Sequence, residues 1–254
     1  MEYRRIIPCL DTRDGKLVKG VHFVDIQELG DPAEAGAAYS EAGADELVFL
    51  DITASLEGRK TFLEAVRRTV DQITVPLTVG GGISTTDDMS RLFDAGVTKV
   101  SINTAAVSKP TLVADAADKF GRDHITVAID TKTNAELPSG FEVVVKGGRE
   151  PTGLDVVAWA GKIVALGAGT LLPTSMDADG TQAGYDIPMT RAVADAVDVP
   201  VIASGGAGKL EHLSEAILEG HADAVLVASI AHFGTFTIRQ MKEHLQSKDI
   251  PVRL

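Results

Sequence analysis

The chain has 254 residues, 44% of them hydrophobic, so it can bury a sizeable core and is not composed like a disordered protein. A formal charge of −12 excludes the broad cationic surface that nucleic acid or an anionic membrane requires, so any anionic ligand has to be held by local donors. One cysteine excludes an intrachain disulfide, six histidines without paired spacing give no metal site, and no apolar run approaches the ~20 residues of a membrane span, the expectation for a cytoplasmic chain.

Along the chain, short apolar runs alternate with segments of helical period. The strand expectations are Arg5–Leu10, Glu46–Asp51, Leu77–Gly80, Lys99–Ile102, Ile125–Asp130, Thr170–Thr174, Val201–Ser204 and Ala224–Ala228. Helix starts are signalled by Asp31 before Pro32, Ser84 with Asp87, Ser108 before Pro110, and Asp186 before Pro188. Several strands are nearly all apolar, as strands covered on both faces must be. Eight β–α units without a linker predict one (β/α)8 TIM barrel over residues 1–254. A doubly wound open sheet is the competing architecture.

A repeat decides between them. PLTVGGGIS at 76–84 returns 124 positions later as PVIASGGAG at 200–208, placing Gly81 over Gly205 and Gly82 over Gly206. EAGADELVFLDI at 41–52 lies against ALGAGTLLPTSM at 165–176, and AGVTKVSINTAA at 95–106 against EGHADAVLVASIA at 219–231. Two similar (β/α)4 halves, approximately 1–122 and 123–254, are what a barrel of twofold symmetry needs.

The glycine runs stand at strand ends directly before helices. A tight turn with positive φ accounts for one such run; recurrence at matching places points to backbone N–H groups gripping phosphates. Asn103 and Thr104 follow one turn and Ser229 the other, so the expected ligand is long and carries a phosphate at each end. Asp11 ends the first strand and Asp130 the fifth, matching positions for a general acid and a general base, although a lone strand-end aspartate often only caps a loop. Lys19 is a candidate for folding over a phosphate or steadying charge, with an exposed solvated lysine as the alternative; Asp51, Asp177 and Asp179 are candidates for hydrogen-bonding substrate hydroxyls, and Ser204 is a further substrate-binding candidate. Cys9, Trp159 and His232 read as packing or structural residues.

These residues also spell out a family. CLD-x3-G-x2-VKG at 9–20, DELVFLDITAS at 45–55, TVGGGI at 78–83, KVSINTAAV at 99–107, VAID at 127–130, DGT-x2-GYD at 179–186 and IASGGAGK at 202–209 closely resemble the cyclase subunit of imidazole glycerol phosphate synthase. The resemblance implies a phosphoribulosyl-formimino aminoimidazole carboxamide ribonucleotide as substrate, with ammonia as nucleophile and no cofactor or metal. It puts acid–base chemistry on Asp11 and Asp130 with Lys19 assisting. Phosphate contacts fall on Gly81, Gly82, Asn103 and Thr104 in one half and on Gly180, Gly205, Gly206 and Ser229 in the other. It further implies a glutaminase partner feeding ammonia through an entrance ringed by Arg5, Glu46 and Lys99.

Five positions depart from that pattern. Thr98 stands where an aspartate is usual, Thr170 replaces a glutamate of the entrance ring, and Pro173 interrupts a strand. His221 is one extra residue before the last strand, and Ala178 replaces an arginine. The first three put partner docking in question. A sister isomerase of the same pathway, and a phosphate-binding barrel without turnover, are the alternatives.

Overall fold

The computed structural model describes residues 3–21, 24–52 and 56–254, and the side chains of 19–27 and 53–61 lie outside that description. The chain forms two compact units, Met1–Ser101 with Val227–Leu254, and Ile102–Leu226. Their boundaries fall inside the fourth and eighth expected strands.

In the first unit, β1 (Arg5–Arg13) is buried over seven of its nine residues, β2 (Lys16–Val21) and β3 (Val24–Gly30) follow, and α1 (Pro32–Glu41) comes next. Then come β4 (Leu47–Asp51), α2 (Leu56–Val70), β5 (Leu77–Gly80), α3 (Thr86–Phe93) and β6 (Lys99–Ile102). β1, β4, β5 and β6 run parallel in that order, with Asp11 opposite Leu50 and Gly80 opposite Ser101. Apolar residues fill the interior: Ile6, Ile7, Leu10, Phe49, Leu77 and Val100 have no more than 1% of their surface exposed. Burial of both faces is why these strands read as continuous apolar runs.

In the second unit, α4 (Thr104–Ser108) and α5 (Thr111–Phe120) lead into β7 (Ile125–Thr133), β8 (Phe141–Val145), β9 (Glu150–Asp155) and α6 (Val156–Ala165). They are followed by β10 (Thr170–Ser175), α7 (Ile187–Ala194), β11 (Ile202–Ala203), α8 (Leu210–Leu218) and β12 (Ala224–Val227). β10 pairs parallel with β7, and β11 with β12. The chain ends in the first unit with α9 (Ser229–His232) and α10 (Ile238–Ser247).

Each half opens alike: one inner strand runs on into two antiparallel ones before its first helix, β1–β2–β3–α1 and β7–β8–β9–α6. Neither antiparallel pair, β2 with β3 or β8 with β9, is among the strand expectations. Asp31 and Asp186 cap α1 and α7 as expected, accepting from Ala33 N and Met189 N. Two helix starts need correction. The capping box of α3 is Thr85 with Asp88, one residue after the expected Ser84 and Asp87, and the Ser84 N–H also donates to Asp88. Ser108 ends α4 instead of opening α5, which starts after Pro110 with no side-chain cap. His221 takes up its extra length at φ 57° and pairs its Nδ1 with Asp195 Oδ1 at 2.5 Å.

Pro173 sits within β10, in register with Ile129, although a proline argues against an inner strand. The cost is visible on its other side. Leu171 donates to the Pro200 carbonyl and Ser175 to the Ser204 carbonyl, so the intervening donor, missing at Pro173, would face the Ile202 carbonyl. Pairing between β10 and the 201–204 segment accordingly shrinks to bridges at Leu171–Val201 and Thr174–Ser204. Pro173→Val should restore that bond. In native-state hydrogen exchange the new amide is expected to be as protected as that of Leu172; exchange at the rate of an open loop would show that no acceptor waits there.

Candidate active site

In the first unit, Asp11 lies near the C-terminal end of β1 with 8% of its surface exposed, and the Cys9 thiol donates to its Oδ1 at 3.3 Å. Asp51 ends β4 opposite Thr12, whose hydroxyl donates to the Leu50 carbonyl. Gly81 and Gly82 turn away from β5 at φ 101° and 64°. A Cβ on Gly81 would run into the Asp51 backbone, so this turn has to be glycine before any ligand is considered. Lys19 belongs to β2, but its side chain lies outside the described residues. Ser229 begins α9.

At the opposite ends of these strands, Glu46 is buried and holds two cations, Arg5 through Oε1 and Lys99 through Oε2, the latter at 3.1 Å. The structure thus brings together the three residues expected at an entrance ring. Thr98 lies beside them in sequence, its N–H donating to the Leu77 carbonyl and its Oγ1 accepting from Leu77 N at 3.3 Å.

In the second unit, Asp130 ends the inward part of β7, opposite Thr174 on β10. Some of its surface remains open, yet protein surrounds it, and burial pushes its pKa up to about 6. The neighbouring Asp179 carboxylate pushes the same way, while a hydrogen bond from the Asn103 side chain opposes both. A carboxyl of this kind exchanges protons near neutral pH. Sequence reasoning could not link Asn103 to Asp130, because the contact is long-range and carries no spacing signal. The Thr104 hydroxyl, next along, accepts from Lys146 N on the β8–β9 turn at 3.2 Å.

Asp179 is held by its own N–H, which donates to the Ser175 carbonyl at 2.9 Å, and Gly180 follows at φ 76°. Ser204 is buried at 7% exposure, and its carbonyl accepts from Ser175 N. A Cβ on Gly205 would meet the Ser175 carbonyl at 2.9 Å. On Gly206 it would collide with the Gly184 carbonyl, whose own residue donates N–H to the Gly206 carbonyl at 2.8 Å. Two loops therefore press together at Gly206. A side chain here would break the backbone packing before it could obstruct any ligand. Ala178 packs beside this turn, 3.2 Å from where that Cβ would stand.

Among the described residues, no group of three His, Cys, Asp or Glu side chains could hold a metal ion, and no helix is long and apolar enough to cross a membrane. Each unit carries carboxylates at or just past strand ends together with glycine turns, Asp11 and Asp51 with Gly81 and Gly82 in one, Asp130 and Asp179 with Gly205 and Gly206 in the other. Residues 5–237 match the sequence model of a family described as histidine biosynthesis protein, whose fold is the (β/α)8 barrel. On that match, which runs through both units, the chain belongs to the histidine biosynthesis protein family, enzymes that include both a cyclase and an isomerase.

Proposed function

We propose that the chain is the cyclase of this family, using ammonia to convert the bis-phosphorylated formimino ribonucleotide into imidazole glycerol phosphate and an aminoimidazole carboxamide ribotide. The observation that carries the reading is Asp130, a strand-end carboxyl whose protonated form is favoured by burial and by Asp179. It is the proton donor to the departing nitrogen. Asp11 takes a proton from the attacking ammonia, and Lys19 steadies the charge that develops. Backbone N–H groups at Gly81 and Gly82, together with Asn103 and Thr104, bind one phosphate, and those at Gly180, Gly205 and Gly206 with Ser229 bind the other. This division of labour suits an acidic protein, because amide dipoles hold phosphate without a cationic patch. Asp51, Asp179 and Ser204 bind substrate hydroxyls. The motifs KVSINTAAV and IASGGAGK favour the cyclase over the isomerase.

The deciding assay is consumption of the bis-phosphorylated substrate by the isolated chain with ammonium salt. Splitting into two products supports the cyclase; rearrangement without ammonia supports the isomerase; binding without turnover supports neither. Asp11→Asn and Asp130→Asn should each lower kcat by ~10²–10⁴-fold with KM little changed, and full activity in either would remove that residue from the mechanism. At constant free ammonia, kcat/KM should fall as pH rises through the Asp130 pKa of about 6, since a proton donor is lost there. A rise over the same interval would make Asp130 the base.

Asp130 also makes a stability prediction. Its folded pKa lies above the ordinary value of 3.8, so the native state binds the extra proton between the two values and stability falls as pH rises from about 4 to about 6. Asp130→Asn should therefore stabilise the protein by up to about 3 kcal/mol at pH 8 and by nothing near pH 4. Denaturant unfolding at both pH values measures the difference.

A glutaminase subunit is the proposed source of ammonia, docking where Arg5, Glu46 and Lys99 gather. Thr98 offers no charge to such a partner, and a lost interfacial ion pair costs about 2–5 kcal/mol. Thr170 leaves the ring one carboxylate short, and Pro173 alters its strand. Turnover with a glutaminase of ordinary sequence should be well below turnover with ammonium salt, and Thr98→Asp with Thr170→Glu should raise it. Equal rates from both nitrogen sources in the unaltered chain would show these positions to be neutral.

A further inference from the structure

His232, at the end of α9, is bonded through both ring nitrogens. Its Nε2 lies 2.7 Å from the Cys9 carbonyl of β1, and its Nδ1 lies 2.8 Å from the Tyr39 hydroxyl of α1. A carbonyl only accepts, so Nε2 carries the hydrogen. Burial pushes the Tyr39 pKa up to about 12, so the phenol keeps its proton and donates it to Nδ1. The two rings, tilted by 57° with centroids 5.7 Å apart, fix the imidazole plane. The Nε2–H tautomer satisfies both of these partners, and a hydrogen on Nδ1 instead would force the Tyr39 hydroxyl to accept and leave the Cys9 carbonyl without a donor from this ring.

The residue it grips is Cys9, which lies two positions before Asp11 and whose thiol donates to Asp11 Oδ1 at 3.3 Å. The same histidine stands three residues after Ser229. We propose that His232, locked in its Nε2–H tautomer by Tyr39, is a positioning residue that holds Cys9 and so fixes the Asp11 carboxylate relative to the start of α9. This rests on the cyclase reading of Asp11. No part of it requires His232 to touch substrate. A carboxylate displaced by a fraction of an ångström loses alignment with the proton it moves, which lowers kcat more than affinity.

The test compares His232→Gln, whose carboxamide N–H can still donate to the Cys9 carbonyl, with His232→Leu and Tyr39→Phe, in ammonia-dependent turnover. His232→Leu is expected to lower kcat about tenfold with KM within about threefold, and His232→Gln to recover most of that loss. In an Asp11→Asn background, His232→Leu should cost less than about twofold further, because the two act through one carboxylate. Nitrogen-15 NMR of the imidazole in the unaltered chain should report the Nε2–H tautomer, and Tyr39→Phe should release it. Should His232→Leu fail to fold, His232→Gln, Tyr39→Phe and the tautomer measurement still decide. No turnover in the unaltered chain overturns the cyclase reading and this inference with it. Normal turnover with an Nδ1–H tautomer, or with His232→Gln no better than His232→Leu, or with additive losses in the Asp11→Asn background, overturns this inference alone.

Discussion

One buried carboxylate organises the N-terminal end of the first unit. Glu46, just before β4, answers Arg5 at the head of β1 and Lys99 at the head of β6. Removing it would strand two partly covered cations, a loss far more costly than the pair's net worth. With these strand heads fixed and the registers β1–β4–β5–β6 set, Asp11, Asp51 and Gly81 arrive at the far ends of their strands. Chemistry at one end is placed by electrostatics at the other. A second such tie reinforces it: Lys242 of α10, only 4% exposed, bonds Asp45, and Asp45 accepts the Ile6 N–H.

The second unit meets the same requirement without that charge. The position matching Glu46 is Thr170, buried and uncharged, the position matching Lys99 is Ala224, and Asp223 matches Thr98, its carboxylate accepting from Val201 N at 2.9 Å as the Thr98 hydroxyl accepts from Leu77 N. The Thr126 hydroxyl, in register with Thr170, is buried without a hydrogen-bond partner. Backbone geometry has diverged far less than side chains. Asn103 and Ala228 precede the short helices α4 and α9 with nearly the same unusual dihedrals, φ −127°, ψ −90° and φ −133°, ψ −83°. One carries an amide that reaches Asp130 and the other carries a methyl group, so the repeated scaffold serves an asymmetric task.

How much of this was legible in the sequence depended on burial. All eight inner strands appear where apolar runs place them, because covering both faces leaves a continuous hydrophobic stretch such as LVFLD. β9, reading EPTGLD with no residue fully buried, has neither a run nor an alternation to betray it. The start of α3 was misplaced by one residue because Ser84 with Asp87 and Thr85 with Asp88 have the same spacing, and only three-dimensional hydrogen bonding separates them. Asp11 and Asp130 were readable as strand ends within a repeat. The Asn103 bond to Asp130, the collision guarding Gly206 and the double grip on His232 were not, since each joins residues far apart in the chain.

The proline in β10 also bears on which neighbour holds the short strand beside it. β11 is only two residues long, and its firm ladder is with β12, where Ile202 meets Ala224 and Ala203 meets Val225. On the β10 side Pro173 offers it no donor at the middle of the segment. Residues 201–204 therefore divide their backbone pairing unevenly, two isolated bridges on the β10 side and a continuous ladder with a strand some twenty residues further on. A second proline or a lost donor in β12 would then leave this segment held mainly by the side chains packed around it.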